Sequence, residues 1–158
     1  MLRLSRLACI LLFACTLPLA HAEEQADSSV ARKLDAFDTP YVVDDDGDYR
    51  ILVRLEDDRT QLVWVRSQVH TSGSQNIREI WTYGLRSEDR RLPPHIANRL
   101  LQENFELVLG SWARHDGNAV LVIRIDADAS AKVLDEAIDL AASLGDQMEQ
   151  RLVSGDEL

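Results

Sequence analysis

Cysteine is scarce in this chain and confined to one end. Cys9 and Cys15 are the only two among 158 residues. Both fall inside a segment expected to be removed, so residues 23–158 have no disulfide, thiol nucleophile or thiolate metal site. Long apolar runs are missing too. Leu7 to Leu19, interrupted by Thr16 and Pro18, is shorter than the roughly 20 residues that cross a bilayer. Positive charge is in deficit, with 17 Lys and Arg against 27 Asp and Glu. That balance argues against general affinity for nucleic-acid phosphates or anionic lipid heads. Glycine is sparse, and no phosphate-cradling loop or dinucleotide fingerprint occurs.

What is present begins with an export signal. Arg3 and Arg6 precede the Leu7–Leu19 stretch, and Ala20-His21-Ala22 places small residues where signal peptidase reads them. Residues 1–22 are therefore expected to be a signal peptide cleaved after Ala22, with the product periplasmic or secreted. Lipidation at Cys15 is the alternative. Cleavage leaves 15 basic and 27 acidic side chains, a charge of −12. The remainder, residues 23–158, is expected to be one domain after a flexible lead over about 23–29. Apolar residues at 46% and charged ones at 28% fit a folded globular protein.

Val30, Leu34 and Phe37 are spaced for a short helix capped by Ser28 or Ser29. Tyr41 to Val43, Tyr49 to Glu56 and Gln61 to Val69 read as strands, the first two joined across Asp44–Asp48. Ile77 to Leu85 reads as a further strand. Pro93-Pro94 opens a helix whose expected buried stripe is Ile96, Ala97, Leu100, Leu101 and Phe105. Leu107 to His115 and Asn118 to Asp126 form a second hairpin across Asp116-Gly117. A final helix runs from about Ser130 to Val153, with Gly145 placed for a close approach. The expected class is α+β, a mainly antiparallel sheet with helices on one face in the order α-β-β-β-α-β-β-α.

Motifs for chemistry are few. Asp44, Asp46 and Asp48 invite calcium, but counting from Asp44 the sixth position is Tyr49 and the twelfth Leu55, which breaks an EF-hand loop. His70, His95 and His115 are scattered with no HExxH spacing. Gly110-Ser111 lacks the second glycine of a nucleophile elbow, and Ser111 reads as a small residue facing the core. Glu103, Glu106, Asp135 and Glu136 read as solvating charges. No catalytic residue, cofactor or metal is assigned. A dispersed site built from Arg66, His70 and Ser111, serving a small ligand or a hydrolytic reaction, is the alternative function.

One pattern stands out. Alternation sets Arg50, Leu52 and Arg54 on one face of their strand, and Leu62, Trp64, Arg66 and Gln68 on one face of the next. Trp and Arg are favoured where proteins bind proteins, so Leu52, Arg54, Trp64 and Arg66 are the candidate interface, for a protein or peptide partner or for a homodimer. Cover by helices is the competing explanation.

Leu100-Leu101-Gln102-Glu103-Asn104, Leu109-Gly110-Ser111-Trp112, and Ala119 to Ser130 leading into the last helix resemble the YbjN-like domain family. Its members have a type III secretion chaperone-like fold. The resemblance covers about Asp35 to Leu152. It implies the element order above, a non-enzymatic and regulatory role, and for chaperones of that fold dimerisation and the holding of extended peptide. It carries no catalytic or binding residues, and the signal peptide departs from the cytosolic setting of secretion chaperones.

Overall fold

The computed structural model describes residues 25–152; the expected signal peptide, Cys9, Cys15 and Val153 lie outside them. The first helix, α1 (Ser28–Asp35), is capped by Asp27, whose carboxylate accepts the Ser29 N–H at 2.8 Å. The cap is thus one residue earlier than expected, and Ser28 and Ser29 belong to the helix instead of a flexible lead. Val30 and Leu34 are buried, whereas Phe37 lies beyond the helix and is exposed.

Strands β1 (Val42–Val43) and β2 (Tyr49–Arg54) flank the acidic turn. Asp44 Oδ1 accepts the N–H groups of Asp46 and Asp48, and Gly47 supplies φ of 78°. Here the short aspartate chain replaces a backbone acceptor and glycine takes the left-handed corner. A single 3₁₀ turn (Glu56–Asp58) leads to β3 (Thr60–Ser72), and a tight turn at Gly73 to β4 (Gln75–Leu85). Helix α2 (Pro94–Glu106) and the hairpin β5 (Ser111–His115) and β6 (Asn118–Asp126) follow, then α3 (Ala131–Leu152). Asp116 and Gly117 both have positive φ, 48° and 85°, as the expected hairpin turn requires.

The six strands form one antiparallel sheet in the order β1-β2-β3-β4-β6-β5. Four strands precede α2 instead of the three in the expected order, and β5 is shorter than expected. Residues 107–109 are not strand, and Val108 is fully exposed. Helix α3 packs on β3, β4 and β6, α1 on α3, and α2 on β5. Val63, Val65, Ile80, Trp112, Leu121 and Ile123 from the strands join Leu134, Ile138 and Met148 from α3 in one core. Gly145 permits the approach of α3: a Cβ there would lie 2.9 Å from Gln61 Nε2 and from Thr82 Cγ2. The stripe of α2 is narrower than expected. Leu100 is buried, but Leu101 is 68% and Phe105 89% exposed. Among the described residues no helix is long and apolar enough to cross a membrane.

Candidate functional site: an uncovered sheet face

Among the described residues the three helices share one side of the sheet, and none of them layers the other side. Register aligns Arg50, Trp64, Trp81, Val122 and Ser111 in a row across five strands. The next row contains Leu52 opposite Leu62, and Tyr83 opposite Val120 and so Ala113. Val120 and Val122 are buried yet lie outside the main core, beneath larger side chains of this second face. Trp64, Trp81, Tyr83 and Leu62 are half-buried, and Leu52 is 54% exposed.

The rings are held in place. Trp64 and Tyr83 meet edge to face with centroids 5.5 Å apart, and Trp81 meets His115 at 5.1 Å. Trp81 Nε1–H donates to Glu79 Oε2 at 2.9 Å, and Glu79 also pairs with Arg124 at 2.8 Å. Arg66 lies 4.6 Å over the Trp81 ring and Arg86 4.6 Å over that of Tyr83. Each such cation–π contact is worth about 0.5–1 kcal/mol at an exposed site. Their structural consequence is that guanidinium groups lie over aromatic surface, that of Arg66 anchored there by Asp48 as well.

Arg66 is anchored from the acidic turn: its Nε is 2.9 Å from Asp48 Oδ2, while Asp48 Oδ1 accepts the Ser67 N–H at 2.7 Å. Burial pushes the Asp48 carboxyl above its ordinary value, with Asp44 and Asp46 adding to this and Ser67 and Arg66 opposing it. The Asp44 and Asp48 carboxylates therefore build and anchor the turn. No group of three His, Cys, Asp or Glu able to hold a metal occurs among the described residues. Asp44, Asp46 and Asp48 of this turn line a hollow of about 190 Å³ together with Trp64, Arg66, Trp81, Tyr83 and His115.

The four residues singled out from sequence share this face but divide into two patches. Trp64 and Arg66 line the aromatic hollow, whereas Leu52 and Arg54 line a groove of about 390 Å³ at the β1–β2 edge with Arg50 and Leu62. Trp81, Tyr83, Arg86 and His115 were not foreseen. The alternation Glu79, Trp81, Tyr83 in β4 was the signal that marks two of them. Arg66, His70 and Ser111 do not converge. His70 is exposed opposite Ile77 near the end of β3, and neither it nor Ser111 lines the Arg66 hollow. Ser111 pairs with Val122 on the uncovered face, opposite the side of Trp112, and so does not face the main core. Glu103 pairs with Arg151, and Glu136 with Lys132. No protein-family model matches the chain, and no curated protein matches it.

Proposed function

We propose that this chain is a non-enzymatic protein-binding or regulatory module of the cell envelope, holding a protein or peptide partner on its uncovered sheet face. One observation carries the reading: all helices pack on one side, and the opposite side presents fixed Trp and Tyr rings interleaved with arginines. Large rigid rings contribute contact area at low entropic cost, and arginine contributes directed donors, the combination that dominates binding energy at interfaces. Export rests on the N-terminal segment, and kinship with the YbjN-like domains on the residues that resemble them; both belong to this proposal.

Probing arrays of extended peptides with the purified chain tests it. The wild type is expected to mark a reproducible subset of peptides, and Trp64→Ala or Trp81→Ala to weaken that binding by about 2 kcal/mol, roughly 30-fold. Failure of the wild type to retain any peptide or protein, or retention untouched by both substitutions, overturns it.

A further inference from the structure

Between β4 and α2 the chain forms a closed turn fastened to the β5–β6 hairpin. Arg91 N–H donates to Ser87 Oγ and to Asp89 Oδ1, both at 3.1 Å, and Ser87 N–H donates to Asn118 Oδ1 at 2.8 Å. Gly117 lies so close beneath that a Cβ on it would be 2.0 Å from the Arg90 carbonyl carbon. The turn is therefore a fixed wall. Hydrogen bonds from the Ser87 hydroxyl and then the Arg91 amide, with the Arg91 charge adding to them, hold the Asp89 carboxyl below its ordinary range, and both bonds are accepted by Oδ1 within the turn.

Against this wall lies a cavity of about 530 Å³, a size typical of small-ligand sites. Leu85, Leu92, Pro93 and Pro94 give it an apolar side, and Arg86, Arg91 and Arg114 complete its lining, the Arg86 guanidinium also lying over Tyr83. Among the described residues none of these three arginines is in an ion pair. Among the described residues Asp89 is the only carboxylate lining the cavity, so three arginines share it with one acid. In a chain with 27 acidic side chains, that gathering of like charges, which the Asp89 charge eases at Arg91, is not fully offset until an anion binds.

We propose that this cavity binds a phosphate monoester, its organic group lying on Leu85, Leu92 and the two prolines. The excess of two positive charges matches the dianion, and planar guanidinium forks suit phosphate oxygens. The prolines offer no N–H, so their side takes the apolar part of the ligand and the arginines take the anion. The inference is independent of partner binding on the sheet face, although Arg86 borders both.

Calorimetry on the full chain with inorganic phosphate and phenyl phosphate, together with sedimentation of phosphatidylcholine vesicles with and without phosphatidic acid, tests the site. Phenyl phosphate is expected to saturate and to bind more tightly than inorganic phosphate. Arg91→Ala and Arg114→Ala should each weaken it about tenfold or more, and Asp89→Asn, which keeps an acceptor for the Arg91 amide, should tighten it. Both arginines are exposed, so unchanged unfolding midpoints serve as the control; Arg91→Lys and Arg114→Lys, which keep charge but lose the fork, repeat the test if an alanine variant misfolds. Sedimentation only with phosphatidic acid assigns a lipid source, and phenyl phosphate binding without sedimentation a soluble one. No saturable phenyl phosphate binding and no phosphatidic-acid-dependent sedimentation, or binding unchanged by both arginine substitutions, overturns the proposal.

Discussion

Arg78 places a guanidinium charge where its side chain is only 2% exposed. Its Nη1 donates to the carbonyls of Arg66 and Ser67, at 2.6 and 3.0 Å, and its Nη2 pairs with Asp27 Oδ2. Ser67 Oγ–H donates in turn to Gly47 O, and Asp27 N–H donates to Ser67 Oγ. The start of α1, the acidic turn and the irregular stretch of β3 between Val65 and Val69 are thus joined through one buried charge. Burial alone would raise the Asp27 carboxyl, but the Ser29 hydrogen bonds, and then Arg78, together hold it below its ordinary 3.8. Asp27→Asn retains a capping acceptor, so its cost reports the stranded Arg78 charge. That cost is expected to be about 2 kcal/mol, below the usual 3–5 for a broken buried pair because Asp27 is partly exposed. Because the folded-state value is lowered, the stabilisation is complete above the unfolded-state value and is lost as pH falls through the folded one. Urea titrations from pH 7 to 2 should show a constant gap between wild type and variant above about pH 4 that closes below it. A gap independent of pH would contradict this role for Asp27. Asp48, whose value is raised by burial, has the opposite sign: its ionisation costs stability as pH rises from its unfolded-state value through the folded one.

Helix α3 shows how an element departs from the local rules of its own sequence. Glycine inside a helix ordinarily costs about 1 kcal/mol relative to alanine. At position 145 the added methyl would press on Gln61 and Thr82, where Gln61 Nε2 donates to Thr82 Oγ1 and to Tyr83 O, both at 2.8 Å. Gly145→Ala is therefore expected to destabilise by about 1–3 kcal/mol, measured as a lower urea midpoint. A raised midpoint would show that the helix stands off from the sheet. Features set by neighbours in sequence were legible: the Asp116-Gly117 hairpin, the Pro94 helix start and the extent of α3. Features set by distant partners were not. The irregular stretch of β3 between Val65 and Val69 is one of these, because Asp48 accepts the Ser67 N–H and Arg78 reaches the Arg66 and Ser67 carbonyls there. Leu101 and Phe105 have helical apolar spacing, yet α2 lies at the end of the sheet against β5, where its stripe is only partly covered. The same division holds for the candidate site. Trp64 and Arg66 were legible from alternation within one strand, but Trp81, Tyr83 and His115 join them only through register between strands.

Across the fold as a whole, the described helices all lie on one side of the sheet, and that asymmetry motivates the functional reading. A second copy is one candidate occupant of the open face. With a net charge of −10 on the full chain, copies repel, so raising salt should strengthen a dimer formed through Trp64. Trp64→Ala should weaken it about 30-fold. Sedimentation velocity across concentration and salt reads both effects, and a monomer under every condition removes the second copy from the list of partners. The central claim is that the face bearing Trp64 and Trp81 is the docking surface and the helical side is not. Its most direct test is photo-cross-linking in living cells, with a benzophenone side chain placed at Leu62 on the open face or at Lys132 on the exposed side of α3. The expected result is a discrete protein adduct from position 62 and none from position 132. Well-expressed protein that gives no adduct from position 62, or the same adducts from both positions, would contradict it.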